Sequence, residues 1–558
     1  MTNLLNMNYT LKAVCLLLVI PALLQAQDFP LNPISFADCK VVSGKWNQAG
    51  SLSIHPFKNA ISAESGKEIT YASGPAGLQT KTGYRDLKLE FEFLQSKETE
   101  ATLNLGNGFE INLNNSSEGK RPFMGSIVGS ANAGQNVCKT TGLWQKLELT
   151  FITAQNGDPA ILQELKINGV FVHQNVLKWG LSGQSAPITF SVSKGTLAFR
   201  KLAASSYGKK NPVSIGNITY TLHETSSWQT EFAFTEKPAI NGTSDVLTAR
   251  IPNDFRHFNL VSKGDLNVEE EGTYAFTLDY QGKGKLLIDG KQVAGSDEVI
   301  FRTPNTGLID LTKGKHSFEY SYNRIWWPAG LGLFVSGPNF RPYALHDASS
   351  LPDPQISGGV LVEPDGKKAS LIRSFMEFGQ KKRTEVISVG SPLQRHFSFD
   401  LENACPLFGW KGNFADVTEM WYQRGEPQIL QTLGQTISFS GKKAFKIEGK
   451  DGNLKLEEYY LDKEGLPTFN HLLDGQLVSQ KLIPTHSGIT VEVGSASEKA
   501  LYLIGSATSI ESLGDGLYRT ESYYLKIPAS VKVTSNVLDG QTELWAAANK
   551  LQSFEIIW

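Results

Sequence analysis

Hydrophobic and polar residues alternate along most of this chain, in short runs that end at glycine, asparagine or aspartate. Residues 87–93 read Leu-Lys-Leu-Glu-Phe-Glu-Phe, and residues 285–288 lead into the turn pair Asp289-Gly290. A side-chain period of two is typical of strands with one buried face, and the turn residues separate successive strands. Helical periodicity is weak. The pattern therefore predicts an all-β fold built from antiparallel sandwiches.

The first 26 residues break this pattern. Lys12 precedes an apolar run over residues 13–20 that continues to Leu24, and Ala26 follows as a small residue. This order predicts a signal peptide over residues 1–26 and an exported protein, periplasmic or extracellular. A buried N-terminal strand or helix is the alternative. The apolar run is shorter than the ~20 residues that a membrane span needs, and no second long run follows, so we expect no membrane span.

Two polar stretches, residues 205–212 and 347–354, divide the remaining chain. Clusters of serine, proline, asparagine and glycine between alternating segments are typical of linkers. They predict three domains, at residues 27–207, 208–350 and 351–558. Each contains strand signals at intervals that suit a sandwich.

Charge and cysteine content narrow the function classes. The chain has 53 basic and 55 acidic residues, a net charge of -2, which provides no field for a polyanion and argues against a nucleic-acid partner. Three cysteines follow the predicted signal peptide: Cys39, Cys138 and Cys405. A Cys39–Cys138 disulfide and free thiols both stay open. No zinc or haem motif occurs, so we assign no metal site, and the cofactor and the oligomeric state stay open.

The N-terminal segment contains several short motifs in a recognisable order. They are residues 74–80, the strand at 84–93, and residues 106–113, 125–129, 144–151 and 166–170. In this order they resemble the 3-keto-disaccharide hydrolase family. The resemblance implies a concanavalin-like jelly roll and cleavage of glycosides whose sugar carries a ketone at C3. Such a ketone acidifies the C2–H, so a base can remove that proton and expel the C1 substituent before water adds. This chemistry needs a base, an acid and a group that polarises the ketone, a role that a cation can fill.

The family's site motif has the form Gly-x-Glu-x-Gln-x-x-Asp, and here it begins at Gly108. Glu110 matches and becomes the catalytic candidate. Asn112 and Asn115 replace the glutamine and the aspartate and become substrate-binding candidates. Glu110 and Asn112 project to one face of a strand, because the side-chain period is two. An amide cannot act as a base, so a non-catalytic carbohydrate-binding or scaffold protein is the alternative. Glu92, on the polar face of its own strand, is a further substrate-binding candidate, with a solvated strand face as the other interpretation.

The middle segment contains Glu-Gly-Thr-Tyr-Ala-Phe at 271–276, Leu-Ile-Asp-Gly at 287–290 and Gly-Lys-His at 314–316. These motifs resemble a protective-antigen-type (PA14-like) β-sandwich, which implies glycan binding or a structural insert in a carbohydrate enzyme. The segment lacks the adjacent aspartate pair of calcium-dependent members. We therefore interpret Asp289 as a turn-capping residue.

The C-terminal segment contains polar and aromatic runs at residues 395–400, 408–416, 419–428 and 460–469. In these runs it looks like a region of large exported Bacteroidota-type proteins. We expect a β-sandwich, with a galactose-mutarotase-like supersandwich as the alternative. It contains a dense group of charged and aromatic residues. From it we take Asp416, Glu419, Trp421 and Arg424 as substrate-binding candidates, because carboxylates, arginine and tryptophan are what a sugar site uses. A buried polar network among aromatic core residues is the competing interpretation.

Together these observations predict an exported, 3-keto-glycoside hydrolase-like protein that binds a glycoside or glycan through Glu110 and its neighbours. The alternatives are a non-catalytic carbohydrate-binding or scaffold protein, and a chain whose reactive site lies in the C-terminal segment.

Overall fold

The computed structural model describes residues 31–558 apart from 107, 155–157, 207–210, 227–236, 302–303, 326–329, 338–339, 352–358 and 422–427. The predicted signal peptide and Arg424 lie outside the described residues. Nearly all regular structure within these residues is strand, and the α-helices there are two single turns, α1 (Thr418–Trp421) and α2 (Ala548–Leu551). The all-β prediction is confirmed.

The described residues divide into two compact units. Those within 31–208 and 355–558 form one, which we call the two-lobed unit, with an N-terminal and a C-terminal lobe. Those within 209–354 form the second, the inserted unit. The domain boundaries expected from the sequence stay predictions.

The N-terminal lobe is a sandwich of two antiparallel sheets. Its strands are β1 (Asn32–Pro33), β2 (Cys39–Ser43), β3 (Asn47–Ile54), β4 (Ile61–Ser73), β5 (Ala76–Tyr84), β6 (Leu87–Gln95), β7 (Glu100–Asn104), β8 (Glu110–Asn112), β9 (Gln145–Ile152), β10 (Ala160–Ile167), β11 (Val170–Lys178), β12 (Ala186–Lys194) and β13 (Thr196–Ser206). One sheet has eight strands in the order β11-β10-β9-β6-β13-β4-β3, with β1 beside β13. The other has five, β2-β5-β12-β7-β8. Phe190 and Phe199 stack at 4.7 Å between the sheets, so their inner faces share one core.

The inserted unit is a nine-stranded sheet arranged around one long strand. Its strands are β14 (Val213–Glu224), β15 (Ile240–Ser244), β16 (Phe258–Val268), β17 (Gly272–Ile288), β18 (Lys291–Phe301), β19 (Asn305–Leu311), β20 (Gly314–Arg324), β21 (Leu331–Gly337) and β22 (Phe340–Ala344). Strand β17 pairs with β18, β19, β20 and β21. The β17–β18 turn is Asp289-Gly290. Both residues have positive φ, 48° and 76°, which a two-residue type I′ hairpin turn requires.

Asp289 lies in this turn, and the hydrogen bonds of its side chain reach β20. Its carboxylate accepts hydrogen bonds from the Ser317 backbone N–H at 2.8 Å and pairs with His316 Nδ1 at 2.6 Å. The side chain therefore connects the hairpin to β20.

The C-terminal lobe packs four antiparallel sheets around one core. Its strands are β23 (Leu361–Val362), β24 (Ser370–Phe378), β25 (Lys381–Gly390), β26 (Arg395–Asp400), β27 (Cys405–Lys411), β28 (Ala415–Asp416), β29 (Gln431–Thr432), β30 (Gln435–Ser438), β31 (Phe445–Ile447), β32 (Leu454–Leu461), β33 (Pro467–Leu473), β34 (Gln476–Pro484), β35 (Gly488–Ser495), β36 (Ala500–Ala507), β37 (Glu511–Gly514), β38 (Leu517–Arg519), β39 (Tyr524–Lys526), β40 (Val533–Leu538), β41 (Gln541–Ala547) and β42 (Ser553–Ile557). The larger sheets are β24-β25-β26-β27-β30 and the eight-stranded β32-β33-β34-β35-β42-β39-β38-β37. Phe399 and Phe469 stack face to face at 3.9 Å and join them.

The two lobes meet through hydrogen bonds and a small apolar cluster. Tyr524 Oη donates to the Thr141 carbonyl at 3.0 Å, and Gln135 Nε2 donates to the Leu433 carbonyl at 3.1 Å. Leu143 packs with Leu517, Tyr524 and Ile557. Chain segments separated by the inserted unit thus form one body.

Candidate functional site

Glu110 lies on the outer face of the five-stranded sheet, in a row of polar side chains. The register places Glu110 opposite Asn104, Asn104 opposite Thr189, and Thr189 opposite Gln79. All four are half-buried, and Gln79 Nε2 donates to Thr189 Oγ1 at 3.4 Å. Their chain neighbours point the other way, into the core: Leu78, Leu103, Ile111 and Phe190. We call Glu110, Asn104, Thr189 and Gln79 the polar row.

Asn112 belongs to the next row of the same face. It stands opposite Thr102, which stands opposite Ser191. The side chain is buried, because the following loop folds over it: Nδ2 donates to the Pro122 carbonyl at 3.4 Å, and Oδ1 accepts from the Asn114 N–H at 2.7 Å. The structure thus places Glu110 and Asn112 on one face, but Asn112 is already engaged by its own loop.

The turn before β8 depends on glycine. Gly106 and Gly108 have φ of +101° and +89°, a region that other residues rarely adopt, and a Cβ on Gly106 would lie 2.1 Å from the Ala186 Cβ. The Gly106 N–H donates to Asn104 Oδ1 at 2.7 Å, and Lys178 Nζ donates to the Gly108 carbonyl at 2.7 Å. These contacts hold the end of β8 and therefore Glu110 against the sheet.

Asn115 is a structural amide. Its Nδ2 donates to the Ser96 carbonyl at 2.9 Å and to Thr141 Oγ1 at 3.0 Å, while Oδ1 accepts from the Ser117 N–H at 3.0 Å. It lines a cleft of about 270 Å³ with charged neighbours that include Lys97. Both of its amide protons are used within the lobe.

Glu92 lies on the other side of the sandwich from Glu110. It belongs to β6 of the eight-stranded sheet, between the core residues Phe91 and Phe93. Arg200 Nε and Lys201 Nζ each approach its carboxylate at 2.7 Å. Burial alone would raise the pKa of Glu92, but the hydrogen bonds from Lys201 and Arg200 outweigh it and hold the pKa below its usual range. Glu92 is an ion-paired surface carboxylate and shares no site with Glu110.

The C-terminal candidates sit around the short strand β28 and α1. Asp416 Oδ1 accepts from the Thr418 N–H at 2.8 Å and from Thr418 Oγ1, and so orders the start of α1. Glu419 is half-buried, and Trp421, 54% exposed, ends α1. The stacking plane that a sugar site needs is therefore available at Trp421. Its expected partner Arg424 is outside the described residues.

The residues just upstream of this group form a buried network. His396 Nε2 pairs with the Gly412 carbonyl at 2.8 Å, and burial lowers the pKa of His396 to about 4. Asp400 accepts from Asn403 Nδ2 at 2.9 Å, and Trp410 is fully buried. For these three residues the core-network interpretation is the one that fits.

The thiols, the candidate metal ligands and the helices bear on the sequence expectations for disulfides, metal sites and membrane spans. Cys39, Cys138 and Cys405 are free thiols. The structure, which describes all three, therefore has no Cys39–Cys138 disulfide. Across the described ranges, no group of three or more histidine, cysteine, aspartate or glutamate side chains is placed to hold a metal ion. No helix there is long and apolar enough to cross a bilayer.

The sequence interpretation missed Asn104, Thr189 and Gln79. Alternation with buried neighbours signals that each faces outward. That they stand in line with Glu110 depends on the strand order β5-β12-β7-β8, which local sequence does not encode.

No protein-family model matches this chain, and no curated protein does. Among solved structures, two candidate glycosyl hydrolases from Parabacteroides distasonis align with TM-scores of 0.21. One is 9% identical over 28% of this chain and 87% of its own length, the other 14% identical over 29% and 100%. An alpha-xylosidase from Xanthomonas citri aligns with a TM-score of 0.21 at 9% identity, over 51% of this chain and 31% of its own. Scores this low support no inference about fold or function.

Proposed function

We propose that this is an exported carbohydrate-active protein that binds a glycoside on the polar row and hydrolyses 3-keto-glycosides with Glu110 as the base. The observation that carries the proposal is the position of Glu110 at the end of a row of half-buried amide and hydroxyl groups on the outer sheet face. Amides and hydroxyls can both donate to and accept from sugar hydroxyls. The hydrolase part rests on the resemblance of residues 108–115 to the family motif.

The reaction requires a base and a group that stabilises negative charge on the ketone oxygen. Glu110 removes the proton on C2, the C2–H electron pair forms the C1=C2 bond, and the C1–O bond breaks towards the leaving oxygen. The proton held by Glu110 then passes to that oxygen. Water adds across the double bond, its hydroxyl to C1 and its proton to C2, which completes hydrolysis. Amide N–H groups such as those of Asn104 can stabilise the negative charge that develops on the ketone oxygen.

The second candidate function is saccharide binding without turnover. Asn112 and Asn115, which occupy the family's glutamine and aspartate positions, make the structural hydrogen bonds described above. The polar row then provides one carboxylate and three neutral groups, a composition that suits recognition of a neutral sugar.

The test is product analysis by mass spectrometry with a 3-keto disaccharide and its unoxidised parent, together with calorimetric binding of both. We expect turnover of the oxidised substrate alone. Glu110→Gln should lower turnover by about 100-fold or more and retain binding, the scale of a lost general base. Glu92→Gln, on the opposite sheet, is the matched control and should leave both unchanged.

Two other outcomes separate the candidates. Binding without turnover, weakened by Thr189→Val, would establish the binding function and reject hydrolysis. A folded protein that neither binds nor cleaves either disaccharide would reject both.

A further inference from the structure

A second cavity, of about 510 Å³, lies at the junction of the N-terminal and C-terminal lobes. The N-terminal lobe contributes Phe57, Phe123 and Lys97, and the C-terminal lobe contributes Arg395 and His486. It is distinct from the polar row, none of whose members line it. Ligand sites often form where two domains meet, with apolar walls and a few fixed polar groups.

Arg395 carries a charge that no carboxylate in the described residues neutralises. Its Nη1 donates to the Gln394 carbonyl at 3.2 Å and Nη2 to the His486 carbonyl at 2.8 Å. Its Nε is buried and lacks a hydrogen-bond partner among the described residues. A guanidinium has five N–H donors, and with these two bonded and Nε–H buried, one N–H on each Nη nitrogen is left for a ligand or water.

Two lysines lie nearby, but Arg395 provides the uncompensated charge of the cavity. Lys411, on the neighbouring strand β27, is the cross-strand partner of Arg395 and is fully buried. Lys97 lines the cavity as well, but Glu118, another lining residue, pairs with it at 3.0 Å and neutralises its charge. Burial lowers the pKa of Arg395 to about 10, which still leaves it charged at neutral pH. An uncompensated charge that is partly withdrawn from water favours an anionic ligand.

Aromatic rings form the other wall. Phe57 is 55% exposed at the cavity, with Lys526 Nζ 5.5 Å from its ring centroid. Phe123 is half-buried, with Arg121 Cζ 4.5 Å from its ring centroid. Phenylalanine rings in contact with water are unfavourable, and their flat apolar faces can be covered by the C–H face of a pyranose ring.

We propose that the junction cavity binds a saccharide that carries a carboxylate, with Arg395 pairing with the carboxylate and Phe57 and Phe123 covering the sugar ring. The guanidinium fork matches a carboxylate through two parallel hydrogen bonds. A uronic acid combines a carboxylate, which complements Arg395, with an apolar C–H face, which complements the phenylalanine rings. This site is separate from the polar row and does not require that Glu110 be catalytic.

The test is calorimetric titration of the full chain with a glucuronate-containing disaccharide, the matched neutral disaccharide and inorganic phosphate. We expect the acidic disaccharide to bind tightest. Arg395→Gln should weaken its binding about tenfold or more, the scale of a lost charged hydrogen bond, and leave the neutral sugar unchanged. Phe57→Ser should weaken the acidic disaccharide several-fold. Phe171→Ser changes another exposed phenylalanine, 45% exposed and outside the cavity, and should leave this binding unchanged.

Each other outcome overturns the proposal. Equal binding of acidic and neutral disaccharides would remove the role of Arg395, and phosphate binding as tightly as the acidic disaccharide would indicate a simple anion site. If Arg395→Gln fails to fold, the exposed Phe57 variant still decides the question. Glu110→Gln should not alter this binding, so failure here and failure of the hydrolase proposal are distinguishable.

Discussion

Lys411 Nζ of the C-terminal lobe donates a hydrogen bond to the Cys138 backbone carbonyl of the N-terminal lobe. The lysine is 1% exposed, and no carboxylate of the described residues pairs with it. Burial, reinforced by the nearby charge of Arg395, lowers the pKa of Lys411 to about 7. The contact between the lobes therefore contains an ammonium group that titrates near neutral pH.

This relationship predicts a pH dependence of stability. The unfolded lysine keeps a pKa near 10.5, so between pH 7 and 10 the unfolded state binds more protons than the folded state. Stability should therefore rise with pH in that window, by up to about 1.4 kcal/mol per pH unit for one proton. Lys411→Met should reduce this slope in denaturant unfolding measured from pH 6 to 9.5. The exposed Lys550→Met is the control, and parallel curves for wild type and Lys411→Met would contradict the pKa assignment.

Gly142 should tolerate no side chain, because backbone of its own lobe and a tyrosine of the C-terminal lobe crowd it. It has φ +81°, and a Cβ there would lie 2.2 Å from the Ile54 carbonyl oxygen and 2.5 Å from Tyr524 Oη. Gly119 has φ +82° and open space around it, so it is a matched control for backbone strain alone. Gly119→Ala should cost about 1–2 kcal/mol of unfolding free energy. Gly142→Ala should cost clearly more, measured by the same denaturant titration. Equal losses would contradict the crowding of Gly142 by Ile54 and Tyr524.

Restoring a carboxylate at position 115 should damage the fold rather than create activity. Asn115→Asp loses two donated hydrogen bonds and places a charged oxygen beside the Ser96 carbonyl, which should cost about 1–3 kcal/mol at pH 7. Protonation at low pH supplies a donor again, so the loss should shrink towards pH 4. Asn114→Asp is the control, because the side-chain bond that Asn114 makes to the Ala101 N–H uses its acceptor oxygen. A gain of turnover in Asn115→Asp would contradict the structural role.

The Asp289–His316 pair should make the inserted unit sensitive to pH. The hydrogen bond that His316 donates to the Asp289 carboxylate raises the pKa of His316 above its usual 6.5. A raised histidine pKa contributes stability that is complete below pH 6.5 and is lost as pH rises through the folded pKa. Between pH 5.5 and 8.5, thermal stability of the full chain should change with a more negative pH slope in wild type than in His316→Gln, which should lack this part of the slope. Asp289→Asn removes the same charge pair and should flatten it equally; an unchanged slope in either variant would refute the assignment.

The sequence by itself determined the features that depend on neighbouring residues. Alternation with a period of two made the chain all-β, since it describes which face of a strand each residue takes. Asp289-Gly290 determined its own hairpin, because positive φ at both residues is a local preference. The same local rule put Glu110 and Asn112 on one face of β8.

Tertiary structure alone decided everything that depends on strand order and register. It brought Gln79, Asn104 and Thr189 into line with Glu110, and placed Glu92 on the opposite side of the sandwich from Glu110 although both look like outward-facing glutamates. It joined segments on either side of the inserted unit into one body, which created the Arg395 cavity. Partners in a sheet are chosen by packing among strands that are distant in sequence, and no local pattern of residues records that choice.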